Sequence, residues 1–213
     1  MKTDELIGIL ATGVEPVPRH ATTRRLVWAL AVGVPLGVAI MLAGYGVRRD
    51  LVQAMFWPML WVKILFPFFV AWGAFVVTQR LARPGVRVGW AWMAIALPVL
   101  LVWLLGLQEW MIAPADERMP LMMGRAWRSC VFSIVLMSAP AFVASFVALK
   151  GLAPTRLVLA GAAAGALAGG AGATVYALHC TEIGAPFLAI WYVAGMLVPV
   201  LLGAALGPRL LRW

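Results

Sequence analysis

Apolar residues in this chain fall into six long runs that are separated by short polar segments. The runs cover residues 26–46, 57–77, 88–107, 129–149, 157–178 and 187–206. Each is about 20 residues long, which at about 1.5 Å per residue spans the roughly 30 Å hydrocarbon core of a bilayer. The pattern predicts an all-α, polytopic membrane protein in which residues 26–213 form a bundle of six transmembrane helices after an N-terminal segment of residues 1–25.

The first run has a second interpretation as a secretory signal peptide. Arg24 and Arg25 precede it, as basic residues precede the apolar region of such a peptide. The run is longer than the apolar region of a signal peptide, however, and Arg48 and Arg49 follow it directly. We therefore interpret it as a permanent span.

The composition supports a membrane protein over other classes. The 213 residues are 64% hydrophobic and 12% charged, whereas a soluble domain is about 45–50% apolar and about 25% charged. This excess disfavours a soluble enzyme, a disordered chain and a nucleic-acid-binding domain. The net charge of +9 therefore indicates a lipid bilayer as the partner, with no direct contact to nucleic acid.

Basic residues indicate the orientation, because they remain on the cytoplasmic side of short membrane loops. Six spans place both termini on the same side. That side carries eleven of the 17 lysines and arginines, the opposite side carries five, and Lys63 lies within the second span. We expect both termini to be cytoplasmic.

The N-terminal segment begins with the pattern of a short helix. Thr3 is a suitable N-cap, and the acids Asp4 and Glu5 lie at the positive end of the helix dipole. The helix has about ten residues, which is too few for stability alone in water. Residues that stop helices follow it at Gly13, Pro16 and Pro18.

An apolar stripe runs along this helix. A short helix with such a stripe gains order by docking into a groove on a partner. The alternative is that the helix lies on the membrane surface, but its acids argue against this, since lipid-binding helices are rich in lysine and arginine. The segment predicts a partner-binding site that consists of Thr3, Asp4, Glu5, Leu6, Ile7 and Leu10.

Two cysteines lie at the outer ends of spans: Cys130 at the start of the fourth and Cys180 just after the fifth. A short inner connection joins these spans, so we expect antiparallel neighbours whose outer ends bring the thiols together. Three interpretations remain open. The thiols form a disulfide, bind a soft metal with His179 as a further ligand, or are inert buried groups.

Motifs of the common enzyme classes are missing from the sequence. It has no nucleophile elbow, phosphate-binding loop, zinc-protease motif or dinucleotide fingerprint. A membrane thiol oxidoreductase that reduces a quinone usually relays electrons through two cysteine pairs, and this chain has two cysteines in total. We therefore expect no enzymatic activity and no cofactor.

Glycines recur at every fourth position of the fifth span, at Gly161, Gly165 and Gly169. They lie on one helix face, where the backbone of another helix can approach closely. This face packs against another helix of the same chain or, as the alternative, against a second copy in a homodimer.

Lys63 is the one cation inside a predicted span. A charge in that position is a functional candidate, and no acid lies within a predicted span to pair with it. The residue is close to the outer end of its span, so we expect its amine to reach the outer interface by snorkelling.

The opening MKTDELI, the later Pro16-Val17 and the stretch HCTEIGAPFLAIWY at residues 179–192 resemble the NrsF family. Proteins of this family are six-span anti-sigma factors of the bacterial inner membrane. The likeness extends over essentially the whole chain in length and in number of spans. The two end motifs are moderately specific, and the apolar middle is not.

The resemblance implies a membrane-bound anti-sigma factor that sequesters an extracytoplasmic-function sigma factor through its N-terminal segment. It also implies that Cys130 and Cys180 act as sensor thiols for periplasmic stress such as heavy metals or oxidants. The alternative function is a small membrane transporter for a metal or a small solute, against which the scarcity of charges in the middle of the spans argues.

Overall fold

The computed structural model describes residues 3–12 and 20–212, apart from the side chain of Leu10. Within these residues the structure is helical and contains no strand. A 3₁₀ turn, Gly89–Trp92, leads into α5, and a π-helical turn, Leu188–Tyr192, joins α9 to α10. The helices are α1 (Thr3–Ala11), α2 (Ala21–Gly44), α3 (Leu51–Ala54), α4 (Pro58–Leu81), α5 (Met93–Ile112), α6 (Arg118–Met123), α7 (Trp127–Lys150), α8 (Leu157–Ala177), α9 (Ala185–Phe187) and α10 (Val193–Leu210).

Six helical stretches of the described chain are long and apolar enough to cross a membrane, which confirms the predicted all-α fold class. They correspond one by one to the six apolar runs. Large apolar side chains on these helices point outward and are exposed, as expected where the surroundings are lipid rather than water. Trp28, Trp72 and Phe132 are 66%, 59% and 65% exposed.

Helix α8 forms the centre of the bundle, because its alanines and glycines let four neighbours approach it. It packs against α10, α4, α7 and α2. A Cβ atom at Gly165 would lie 2.0 Å from the carbonyl oxygen of Pro199, and one at Gly161 would lie 2.0 Å from that of Gly203. Helix α10 of the same chain therefore covers the glycine face. Packing within the chain is confirmed, and a homodimer through this face does not fit, since the face is already filled.

The connections between spans lie at two opposite ends of the bundle. Residues 82–88 and 151–156 lie at the end that also holds the start of α2 and the end of α10, which we call the terminal face. Residues 45–57, 113–126 and 178–184 lie at the other end, which we call the distal face. The predicted partner-binding segment precedes the terminal face, and both cysteines belong to the distal face.

Candidate functional site

The helix predicted at the N-terminus is present as α1, Thr3–Ala11, and its described side chains are exposed. Leu6 and Ile7 of the predicted stripe are 41% and 59% exposed, and Ile9, which the stripe did not include, is 63% exposed. The side chain of Leu10 and the predicted helix stops at Gly13, Pro16 and Pro18 lie outside the described residues.

Helix α1 leaves the large apolar side chains of Leu6, Ile7 and Ile9 exposed. A Cβ atom at Gly8 would meet no other atom within 4 Å. Complete burial of a leucine or isoleucine side chain stabilises a structure by about 1.5–3 kcal/mol, and α1 leaves this contribution unused. The helix is therefore a surface that a partner can cover.

Cys130 and Cys180 are both free and buried, and they belong to one hydrophobic cluster at the distal face. Cys130 lies in the first turn of α7, and Cys180 lies in the loop that follows α8. The ring of Tyr176 belongs to the same cluster of buried residues. The antiparallel neighbours α7 and α8 thus bring the cysteines to the same place, and no disulfide joins them.

The ring of His179 is held in place by contacts on one side. Its Nδ1 lies 2.9 Å from the carbonyl oxygen of Gly46, and its ring contacts those of Tyr45 and Tyr176, with centroids 5.2 and 5.9 Å apart. In the part of the chain that the structure describes, no group of three or more histidines, cysteines or acids is arranged to hold a metal ion. The structure therefore brings the two thiols together without a preformed third ligand.

Residues 178–184, which we call the cysteine loop, connect α8 to α9, and side chains from elsewhere hold their backbone. Lys63 of α4 donates from Nζ to the carbonyl oxygens of Cys180, at 2.6 Å, and Glu182, at 2.5 Å. Lys63 is 0% exposed, so the expectation that it snorkels to the interface is wrong. Its charge is instead solvated by backbone oxygens inside the protein.

Arg48 provides a second attachment of the cysteine loop. Its backbone N–H donates to the carbonyl oxygen of Leu178 at 3.1 Å, and its Nη1 lies 3.4 Å from that of Cys180. The guanidinium also forms a two-pronged ion pair with Asp50, with both nitrogen–oxygen distances 2.7 Å. This hydrogen-bonded pair lowers the pKa of the Asp50 carboxyl and raises the pKa of Arg48.

Two carboxylates complete the attachments of the loop. Oε1 of Glu182 accepts a hydrogen bond of 2.8 Å from the backbone N–H of Arg125, beside Gly124, whose φ of +56° favours glycine. Oε2 of Glu109 accepts a hydrogen bond of 2.8 Å from the backbone N–H of Ala185, the first residue after the loop. Four separate segments of the chain therefore converge on the cysteine loop and the residue that follows it.

Sequence reasoning missed these attachments because backbone carbonyls carry no residue signature. Lys63 was the one sequence feature that could have indicated an attachment, since a cation inside an apolar span requires a partner. Nothing in the sequence pointed to Glu109 or to the role of Arg48 in the cysteine loop.

Comparison with known proteins gives one consistent result. The family model described as "Negative regulator of sigma F", NrsF, matches residues 10–213. The chain is 43% identical to the probable anti-sigma-F factor NrsF of Azospira oryzae, over 213 residues and the full length of both proteins. It is 37% identical to the anti-sigma-F factor NrsF of Caulobacter vibrioides, over 220 residues and again the full length of both. No solved structure matches the chain. The chain belongs to the NrsF family of negative regulators of sigma F, as its end motifs predicted.

Proposed function

We propose that this protein is an anti-sigma factor of the bacterial inner membrane that sequesters an extracytoplasmic-function sigma factor through residues 1–25 and releases it under periplasmic stress. The observation that carries the proposal is α1: a nine-residue helix with exposed Leu6 and Ile7, in a chain whose relatives are anti-sigma-F factors. A helix this short is marginal in water and becomes stable when a partner covers it.

The chemistry of α1 defines the surface that it would recognise. Leu6 and Ile7 supply apolar anchors for a groove, as in other complexes in which a helix binds a groove. Asp4 and Glu5 lie in the first turn, and acids there favour a partner with basic residues at one end of its groove. The proposed partner is a sigma factor with an apolar groove bordered by lysine or arginine.

The charge distribution supports cytoplasmic termini. Basic residues border the terminal face in the connections 82–88 and 151–156, at the start of α2 and at the end of α10. Because positive charges are retained in the cytoplasm, α1 is placed where a sigma factor can reach it, and the cysteine loop is placed toward the periplasm.

The sensing part of the proposal rests on Cys130 and Cys180. Two reduced thiols in one cluster can bind a soft metal ion together or be oxidised to a disulfide. His179 serves as an assisting ligand through Nε2, because its Nδ1 lies 2.9 Å from the carbonyl oxygen of Gly46 and a metal-binding histidine commonly donates its other ring N–H to such an oxygen. Either reaction changes the packing around both thiols, and this change is the proposed stress signal.

Direct capture of the sigma factor tests the binding role. The full-length protein is co-purified with the sigma factor that is encoded nearest its gene, and the same is done after deletion of residues 2–12. We expect the deletion to abolish capture while the protein still accumulates in the membrane. The matched control is Phe56→Ser, which alters a residue of the distal face that is 84% exposed and is expected to retain capture. Unchanged capture by the deletion variant would show that α1 is not the docking segment.

Transcription of the sigma regulon tests the thiols. Cys130 and Cys180 are replaced by serine singly and together, and transcription is measured with and without a soft metal or an oxidant. We expect the double variant to lose induction. Met119→Leu is the control for a sulfur atom on the same face, as this methionine is 58% exposed. A normal response of the double variant would remove the cysteines from the mechanism.

No observation favours the transporter alternative. Two cavities among the described residues, about 790 Å³ between α2, α4 and α8 and about 590 Å³ between α4 and α5, are lined almost entirely by apolar side chains. Membership of a family of regulators likewise favours a protein that binds a partner over an enzyme.

A further inference from the structure

Lys63 is a fully buried cation whose charge is met by backbone oxygens. Besides its hydrogen bonds to the carbonyl oxygens of Cys180 and Glu182, Nζ lies 5.6 Å from the centroid of the Tyr192 ring. No carboxylate among the described residues forms an ion pair with it. A buried ammonium that loses its hydrogen bonds is strongly destabilising, so Lys63 and these two carbonyls must remain together. We call this arrangement the Lys63 clamp.

The clamp holds the segment that contains the Cys180 thiol. Nζ reaches the carbonyl oxygens of both Cys180 and Glu182, so one ammonium holds two points of the loop backbone. The Cys180 side chain is 3% exposed, so a metal ion or an electrophile has no room at the sulfur while the cysteine loop is in place. Modification of this thiol therefore requires the loop to move.

Helix α4 carries Lys63 near the distal face and reaches the terminal face at its other end. Along the way it lies backbone to backbone against α8, since a Cβ atom at Gly170 would come within 2.7 Å of the amide nitrogen of Ala71. At the far end, Nε2 of Gln79 donates to Oγ1 of Thr23 at 3.1 Å. Thr23 lies in the first turn of α2, the span that follows the segment of α1.

We propose that Lys63 is a positioning residue that couples displacement of the cysteine loop to α4, and through the contact of Gln79 with Thr23 to the start of α2. The inference rests on the proposed function. When the loop moves, the clamp draws the distal end of α4 with it, because separation would leave the ammonium unpaired. A rigid helix then transfers the movement to the terminal face, where the N-terminal segment is attached.

Accessibility of the thiol tests the clamp itself. Full-length protein in native membranes carries Cys130→Ser, so that Cys180 is the remaining cysteine, and its alkylation by a membrane-impermeant maleimide is timed. Lys63→Met is expected to accelerate labelling about tenfold, because the loop opens more readily without the clamp. Lys63→Arg retains a cation with several donors and is expected to restore slow labelling. The control Arg118→Met removes a cation of the distal face whose hydrogen bonds go to Ala113 and Met111; its labelling rate is expected to equal that of the parent.

Transcription tests the transmission. With both cysteines present, Lys63→Met is expected to retain the sigma factor before stress and to lose most of the induction by cadmium chloride, and Lys63→Arg is expected to recover it. Unchanged labelling in Lys63→Met would overturn the clamp. Faster labelling with normal induction would overturn the coupling through Lys63.

The two proposals fail in different ways. The labelling experiment needs no sigma factor, so loss of the anti-sigma function would leave its result intact. If Lys63→Met does not accumulate in the membrane, Lys63→Gln replaces it, because the amide retains a donor. Labelling of that variant is expected to be faster than in the parent, and an unchanged rate would overturn the clamp.

Discussion

Helix α1 and the cysteine loop are both short segments outside the spans, yet they relate to the bundle in opposite ways. Helix α1 leaves Leu6 and Ile7 exposed. In the cysteine loop, the backbone carbonyl oxygens of Cys180 and Glu182 are bound by Lys63 and Arg48. Helix α1 therefore has side chains available for a partner, whereas the cysteine loop has almost none.

This difference is the one that the proposed function requires, in which one segment binds a partner and the other detects a signal. A segment that binds and releases a partner needs few competing contacts with its own chain, because each of these would reduce the binding free energy. A segment that detects a signal needs many contacts that break together, because such a cluster changes in an all-or-none manner. Three predictions test the comparison, in order of decreasing effect.

A pair of glycine substitutions gives the largest expected difference in the stability of the folded protein. Gly165→Ala places a methyl group 2.0 Å from the carbonyl oxygen of Pro199, so α8 and α10 must separate. We expect a loss of about 3 kcal/mol in stability, at the upper end for overpacked cores, and little accumulation of folded protein. Thermal unfolding of the protein in detergent measures the effect.

Gly8→Ala is the matched control in α1, where a Cβ atom meets nothing within 4 Å. The bundle is expected to melt at the parent temperature, and the helix itself gains about 1 kcal/mol in intrinsic propensity. Equal melting temperatures for the two alanine variants would show that the packing of α8 against α10 does not set the stability of the bundle.

A pair of isoleucine substitutions compares the two segments in binding. Ile7→Ala removes an apolar anchor of α1 and is expected to weaken capture of the sigma factor by about 2 kcal/mol, or about 30-fold, as for a central interface residue. Ile183→Ala alters an isoleucine of the cysteine loop that is 37% exposed and is expected to leave affinity unchanged. Titration of the purified proteins against the sigma factor measures both. Equal loss from both variants would mean that the distal face also takes part in binding.

The pH dependence of stability gives the smallest effect. The Arg48 guanidinium lowers the pKa of the Asp50 carboxyl below its ordinary value of 3.8. The stabilisation from this carboxylate is therefore present above the ordinary pKa and is lost as the pH falls through the lowered one. Below about pH 4, the melting temperature of the parent is expected to approach that of Asp50→Asn, and the two are expected to differ slightly at pH 7. A constant difference from pH 7 to pH 2 would contradict a role for this ionisation.

Much of the fold was predictable because periodic and apolar patterns act locally. The six spans follow from run length alone, and the helix at Thr3–Ala11 follows from a hydroxyl, two acids and an apolar stripe. The convergence of Cys130 and Cys180 followed from a short connection between two antiparallel helices. The attachments of the cysteine loop could not be predicted, since Lys63 and Cys180 are 117 positions apart and a carbonyl oxygen is the same at every residue.

By itself, the sequence determined six apolar helices long enough to cross a membrane, a short helix at Thr3–Ala11, and the placement of both thiols at one end of the bundle. The length of the apolar runs predicts the six helices, and the residues that start a helix predict the short helix. The reversal of the chain between two neighbouring helices predicts the position of the thiols. The tertiary structure decided which partner covers the glycines of α8 and where the charge of Lys63 is placed. Both depend on how distant segments pack, and a buried charge takes the position where backbone dipoles can solvate it.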